Sequence, residues 1–545
     1  MKMIAFLDNK RHILRQMYRQ KASSLFSIGL ILSFVLFFLW YSLPIILSGV
    51  ENNRMVAVFN YDEAHYGVGL LNNMFEKKTL DTNYYTYGSV YFYITVFPLF
   101  IYKHFSPLTE TVIIIMLRFV SVFFGCLSLF GLYALGKKIF SPKIGLLASL
   151  LFLATPVFLW RATGAHPDAT QIYFSIISLY FCCSLSTNFT YWNIFMASVF
   201  AGLSFGTKYL GIFFLPIIWL AGYLSCGQKE ELVNLVNNAV NNYFPVKRLF
   251  ISIILSIIVF TATFILTNPY SIINLNLFLK SIKHQSDLLY LSAYLKPDSN
   301  GFLWINALAS SYLIGTSGLV LFFGFLLKMF FNYLKTIGKS RFELKPGIVI
   351  LFCVIFLVFT FLFFRVNARD YRFILPIVPF MLLFVAKALQ ELWNFNKLGR
   401  IIAVLFLVLI LWPKLLLDIN SRNWLINKTS NNVYIKAGKW LANNFPSDYR
   451  IVYDTYSYIP PTFKYVSESG GGISKKSIEE FNPHLIVINN KISSLYANPE
   501  NAVNCSRGSV EYNNINQFYT NLRANKFLPY VLVKDFGEVK IFSRI

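Results

Sequence analysis

The chain has 545 residues, 56% of them hydrophobic and 18% aromatic, with only 14% charged and a mean hydropathy of +0.54. A soluble domain carries about 25% charged residues, so an ordinary water-soluble enzyme is excluded. The net charge of +24 does not point to nucleic acid: the Lys and Arg sit mainly in short loops between apolar runs, as the positive-inside bias dictates.

A basic N-terminal stretch (Lys10, Arg11, Arg15, Arg19, Lys21) runs straight into the first apolar segment with no small-residue cleavage site, so it does not read as a cleavable signal. Spans are predicted near 25–48, 111–135, 144–162, 169–186, 191–206, 208–224, 249–267, 308–328, 347–365, 372–390 and 400–417. The expected fold class is mainly α: a polytopic membrane protein with about eleven transmembrane helices and a small C-terminal α/β domain. The segment 88–105 is apolar but tyrosine-rich and interrupted by Pro98. It reads as lying in the interface, where amphipathic rings prefer to sit. Charge supports that choice, because it leaves the basic loops 136–143, 225–248, 329–346 and 391–399 on the cytoplasmic side. The domain division is therefore 1–417 in the membrane, with a first outer loop at 49–110, and 418–545 outside it.

On this topology one face collects Asp62–Glu63, Gly164–Asp168 (GAHPD), Gly206–Tyr209 (GTKY), Thr267–Ser271 (TNPYS) and 365–372 (RVNARDYR). The tail from Asp418 emerges there too, and no carboxylate falls inside any assigned span. In the tail, Val433–Asn444 and Ile515–Asn525 have helical periodicity, whereas Arg450–Tyr456 and Leu485–Asn489 read as strands. Tyr530–Ser543, turning at Asp535-Phe536-Gly537, reads as a hairpin. Gly470–Gly472 lacks the strand–turn–helix setting of a phosphate loop. The six cysteines are scattered and form neither a disulfide framework nor a metal spacing.

The first outer loop carries the candidate chemistry. Asp62 or Glu63 can take a proton from a hydroxyl or amine acceptor, and the second acid can orient it. The two together could hold a divalent ion, although further ligands are not evident and no cofactor is required. His65, Tyr66 and a tyrosine run that includes Tyr87 follow closely. Asp168, behind His166, is a second acid on the same side. Lys208 sits at a span mouth, either snorkelling or supplying charge to a phosphate, and Arg118 has the same ambiguity. Arg365, Arg369, Asp370, Tyr371 and Arg372 place arginines on the outer face, against the charge bias. A guanidinium grips phosphate oxygens as a fork, so this cluster suggests an anionic ligand; anionic headgroups or pairing with Asp370 are the plainer reading. Proton acceptor, cations and an apolar body together suit transfer from a lipid-phosphate donor.

These residues resemble a known family. Asp62-Glu63-Ala64-His65-Tyr66-Gly67 is similar to the DE-x-H-aromatic-G element in the first outer loop of protein O-mannosyltransferases. More broadly, the chain resembles the GT-C superfamily of membrane glycosyltransferases, which also includes bacterial aminoarabinose transferases. The similarity continues through Arg118-Phe119-Val120-Ser121, GAHPDA, GLSFGTKYLG, TNPY and RDYRFILPIVPF, covering about 50–380 in order. The resemblance implies sugar transfer from a polyprenyl-phosphate carrier to an acceptor on the non-cytoplasmic side, usually with inversion. Asp62 then resembles the catalytic base assisted by Glu63, Asp168 the second-loop acid, and Lys208 and Arg372 the donor-phosphate contacts. Arg118, Arg369, Tyr371, His65, His166 and Tyr87 complete the candidate binding set. The tail shows no β-trefoil-like repeat, which leaves a lipid, glycan or protein acceptor open. An oligosaccharide or O-antigen-type ligase and a lipid-linked substrate transporter are the alternatives. Membrane lipids are the other expected partners, and nucleic acid is not among them.

Overall fold

The computed structural model describes residues 25–225, 243–291, 303–336, 371–429, 432–469, 472–497, 509–527 and 529–545. It shows a mostly helical, multi-pass membrane protein with a small C-terminal sheet. Among the described residues, six helices are long and apolar enough to cross a bilayer: Leu25–Ile46, Glu110–Ile139, Asp168–Thr187, Val246–Thr267, Tyr371–Phe395 and Lys397–Asn427. Pro142–Leu153 and Pro156–Thr163 are together long and apolar enough for a seventh, but the pair is bent by 71°, as in a broken span or a re-entrant loop. The predicted span 347–365 and residue Arg369 lie outside the described residues.

Local chemistry accounts for the element ends. Thr109 caps the helix Glu110–Ile139 by accepting from the Val112 N–H; Glu110 opens it and Lys137 and Lys138 close it, in accord with the helix dipole. Pro156 has no N–H to offer the preceding turn, and the next amide, Val157, donates across the bundle to the Tyr312 carbonyl at 3.2 Å. The bend falls there. The segment expected in the interface is a 14-residue helix, Val90–Lys103. At about 21 Å it is short of the ~30 Å hydrocarbon core, and it exposes Phe97 and Phe100.

One expectation is corrected. The last long helix does not stop at 417 but continues to Asn427, placing the carboxylate of Asp418 inside it and burying it. Apolar patterning ends near Leu417, yet the helix continues, with Lys414, one turn earlier, itself fully buried. The Lys414 ammonium reaches Thr155 Oγ1 at 3.3 Å, at the bend.

The C-terminal sheet has five strands, β1 (Ile451–Asp454), β2 (Val466–Ser469), β3 (Leu485–Asn489), β4 (Tyr530–Asp535) and β5 (Val539–Arg544), in the order β2-β1-β3-β5-β4. β1 runs parallel to β2 and β3, while β5 is antiparallel to β3 and β4. β1 (IVYD) and β3 (LIVIN) are buried along their length because both faces are covered. Ala437 and Leu441 of the helix Val433–Asn444 pack on one side; Ile515, Phe518 and Leu522 of Ser509–Arg523 pack on the other. β2 and the helix Lys475–Phe481 escaped the sequence reading: β2 is half-buried and polar (VSES), and the helix is held by a Ser474–Ser477 capping box.

The sheet domain docks on the first loop. Met55 and Val58 of the helix Asn53–Phe59 bury against Ile435 and Tyr458, and Arg54 donates to the carbonyls of Pro460 and Phe463 at 2.9 and 3.1 Å.

Candidate active site

The DEAHYG segment folds as a π-helix, Glu63–Gly69, continuous with the α-helix Leu70–Glu76. Single π-turns concentrate at functional sites because the wider turn re-aims side chains. Consecutive helical residues do not face each other, and the two neighbouring carboxylates at its start go to different places.

Glu63 is turned inward and is 3% exposed. Its Oε2 accepts from Arg118 Nη2 at 2.7 Å and its Oε1 from the Ala165 N–H at 2.6 Å. The second contact needs Gly164: a Cβ there would lie 2.9 Å from Glu63 Oε1. Arg118 also donates to the carbonyls of Ile45, Ile46 and Ser48, which ties the end of the first helix to this floor. Burial alone would raise the Glu63 carboxyl, but Arg118 and Lys428 outweigh it and hold it down near 2. Glu63 is a fixed anion with its lone pairs occupied.

Asp62 faces the other way. Its side chain is 30% exposed, and its Oδ2 accepts from Arg372 Nη1 at 3.2 Å. Both residues line a cavity of about 310 Å³. Arg161, His166, Trp160 and Arg118 line it too, and Lys428 and Tyr456 do so from beyond the last long helix. His166 is buried, and its Nε2 receives the Asn60 amide at 2.9 Å and Arg161 Nη1 at 3.2 Å. Both partners can only donate, so this nitrogen is the acceptor of a neutral ring. Burial, reinforced by Arg161, lowers its pKa to about 4. Burial and then Arg118 likewise lower Lys428 to about 8, against the pull of Glu63.

The second buried pair is Asp168–Lys208, at 2.7 Å. Lys208 is 7% exposed and does not line the cavity. Lys208, expected to face a phosphate, is paired here with Asp168, with the Tyr87 and Phe373 rings 6.0 and 5.5 Å from its ammonium. The Arg372 guanidinium stands 5.2 Å from the same Phe373 ring. Gly88 makes this layer possible: its N–H donates to the Thr207 carbonyl, and a Cβ would fall 1.8 Å from the Gly206 oxygen. The adjacent Ser89 N–H donates to Asn268 Oδ1, so the TNPY motif buttresses the same turn.

Of the remaining candidates, His65 points towards the sheet domain. Its Nε2 lies 3.0 Å from Glu468 Oε2, and its ring stacks on Tyr61 at 3.9 Å between centroids. Tyr371 stacks on Tyr312 at 5.4 Å. The polar motifs 62–63, 164–168, 206–209, 267–271 and the described end of 365–372 thus meet in one layer. Among the described residues, no three His, Cys, Asp or Glu side chains are grouped to hold a metal ion.

Sequence reasoning missed Arg161, Lys428 and Tyr456. Arg161 had a signal, an arginine at the end of a predicted span just before GAHPD. Lys428 and Tyr456 had none, since they arrive from more than 360 residues along the chain.

Residues 95–235 match the family model of dolichyl-phosphate-mannose-protein mannosyltransferases. Among curated proteins, none matches by sequence. Among solved structures, the chain is similar to ArnT from Cupriavidus metallidurans bound to undecaprenyl phosphate, with a TM-score of 0.53 and 12% identity over 95% of this chain and 98% of that one. It is also similar to the archaeal oligosaccharyltransferase AglB from Archaeoglobus fulgidus, in complex with an inhibitory peptide and a dolichol-phosphate. That TM-score is 0.52, with 12% identity over 87% of this chain and 71% of that one. The chain has the GT-C fold.

Proposed function

We propose that this protein is an integral-membrane glycosyltransferase that moves a sugar from a polyprenyl-phosphate donor to an acceptor, with its cavity and sheet domain on the outer face of the cytoplasmic membrane. The observation that carries the reading is the partly exposed Asp62–Arg372 pair, set among further cations in a cavity of about 310 Å³. ArnT binding undecaprenyl phosphate and AglB binding dolichol-phosphate, on the same fold, support a lipid-phosphate ligand. So does an apolar groove of about 550 Å³ beside the helix that continues from the DEAHYG turn, with Lys78, Lys103 and His104 among its lining.

In this mechanism the donor phosphate takes over Arg372 and Arg161 as bidentate partners, which releases Asp62 from its ion pair. Asp62 removes the proton from the acceptor hydroxyl, and the acceptor oxygen attacks the anomeric carbon. The carbon–oxygen bond to phosphate breaks, and its electron pair leaves with the polyprenyl phosphate, whose charge the arginines stabilise. Glu63 and Asp168 serve by position: Glu63 fixes the π-turn, and Asp168 with Lys208 supports the layer under Arg372.

The test is incubation of the purified protein with a panel of polyprenyl-phosphate sugars, scoring released polyprenyl phosphate. Release by wild type and not by Asp62→Asn is expected; equal release by both removes Asp62 from the role of base. The likeness to AglB makes an oligosaccharide ligase the second reading, and the mass of the transferred glycan separates the two.

A further inference from the structure

Tyr456 is the one aromatic among the described non-glycine residues in the left-handed backbone region, with φ of +73°. For a bulky side chain this conformation is an outlier that persists only when its surroundings over-determine it. They do. In the turn after β1, the Ser457 N–H donates to the Asp454 carbonyl at 3.1 Å. The Asn489 amide donates to the Thr455 carbonyl and to Ser457 Oγ at 2.7 and 2.9 Å, and Thr455 Oγ1 donates to the Ser469 carbonyl at 3.0 Å. Asp454 itself is buried, accepting from the Asn489 N–H and from the Tyr519 hydroxyl. Partners from three strands or their ends hold one four-residue turn.

The turn delivers its ring into the cavity that holds Asp62 and Arg372. The Tyr456 ring meets that of Tyr61 edge-to-face, with centroids 6.5 Å apart, and has the Lys491 ammonium 4.6 Å from its centroid on the domain side. Phe59, Trp160 and Trp424 complete the aromatic lining. A cavity lined by carboxylates, arginines and flat rings suits a pyranose, which has hydroxyls around its edge and an apolar patch of C–H bonds on its face. Aromatic rings supply large, rigid contact area for such a face.

We propose that Tyr456 is a sugar-contacting specificity residue, held in a strained turn by the sheet domain so that its ring packs on a pyranose bound next to Asp62. This rests on the glycosyltransferase reading and adds to it the domain that reads the sugar. The ring belongs to the donor or to the acceptor; the kinetic arms below separate them.

The experiment is saturation-transfer NMR on the full chain in nanodiscs, with methyl α-D-mannopyranoside and methyl β-L-arabinopyranoside as probe sugars. Wild type should saturate ring protons of at least one probe. Tyr456→Ala should lose that transfer fivefold or more, and Tyr456→Trp should retain it. Asn tolerates the left-handed region far better than Tyr, so Tyr456→Asn should keep or raise the melting temperature while losing the sugar contact. A fall in melting temperature with saturation transfer per folded protein unchanged would make the ring a packing element and overturn the proposal. Wild type saturating neither probe would sink the carbohydrate reading itself; both Tyr456→Ala and wild type saturating equally would sink only the Tyr456 assignment. With the panel assay in hand, Tyr456→Ala should raise KM for one substrate alone, donor or acceptor, and that substrate carries the ring. Unchanged KM for both overturns the proposal.

Discussion

Asp62 and Glu63 are neighbours in sequence and opposites in surroundings. Glu63 is sealed beneath the π-turn, with an arginine on one oxygen and a backbone N–H on the other. Asp62 is nearly a third exposed and meets Arg372 at the longer distance of 3.2 Å. A carboxylate whose lone pairs are already filled in a desolvated site sets geometry. One held loosely by a cation that a phosphate can claim is available to accept a proton. The same contrast recurs between the sealed Asp168–Lys208 pair and Arg372 at the rim. Side chains of like charge thus divide into a sealed floor and a partly exposed rim.

Four experiments press on that division. The largest effect is expected from Asp62→Asn, which should reduce turnover by about 10²–10⁴-fold with the melting temperature unchanged in detergent; a matching loss of stability would place Asp62 on the floor. Arg118→Met removes the buried partner of Glu63 and should cost about 3–5 kcal/mol of stability, read as a lowered thermal midpoint before any assay is run.

Acid titration sharpens the same point. The folded Glu63 carboxyl lies near 2, below its ordinary 4.5. A lowered acid contributes stability that is fully present above the unfolded value and is lost as pH falls from about 4.5 through 2. That contribution is on the order of 3 kcal/mol. Glu63→Gln should flatten this part of the wild-type stability curve; an unchanged slope would mean the pair carries no linkage. The smallest effect belongs to Glu468→Gln at the partly exposed His65 contact. It should shift stability by no more than ~1 kcal/mol, measured as a small change in melting temperature with turnover within about twofold.

Much of the architecture was legible in the chain. Hydropathy and loop charge gave the membrane character and the helices whose ends are capped or closed by charge, since those signals act over one or two turns. The tail helix Val433–Asn444, the strand Leu485–Asn489 and the hairpin at Asp535–Gly537 followed from periodicity and turn chemistry. The continuation of the last helix past 417 was not legible, because a buried carboxylate and polar residues follow the apolar run and only packing against the rest of the chain shows that the helix goes on. Nor was β2, whose sequence is too polar to announce a strand.

For the site, the sequence alone determined which residue types lie near the membrane surface and in what order, because a span must be apolar and its polar breaks are therefore conspicuous. Only the tertiary structure decided which acid is sealed and which stays partly exposed beside Arg372. The π-turn, the glycine at 164 and the partners at 118 and 372 separate Asp62 from Glu63 through contacts spanning 55 to 310 positions. The same holds for Tyr456, whose backbone is set by strands that meet only when the sheet closes. Contacts at that separation leave no periodicity in the chain; they exist only after packing has brought the segments together.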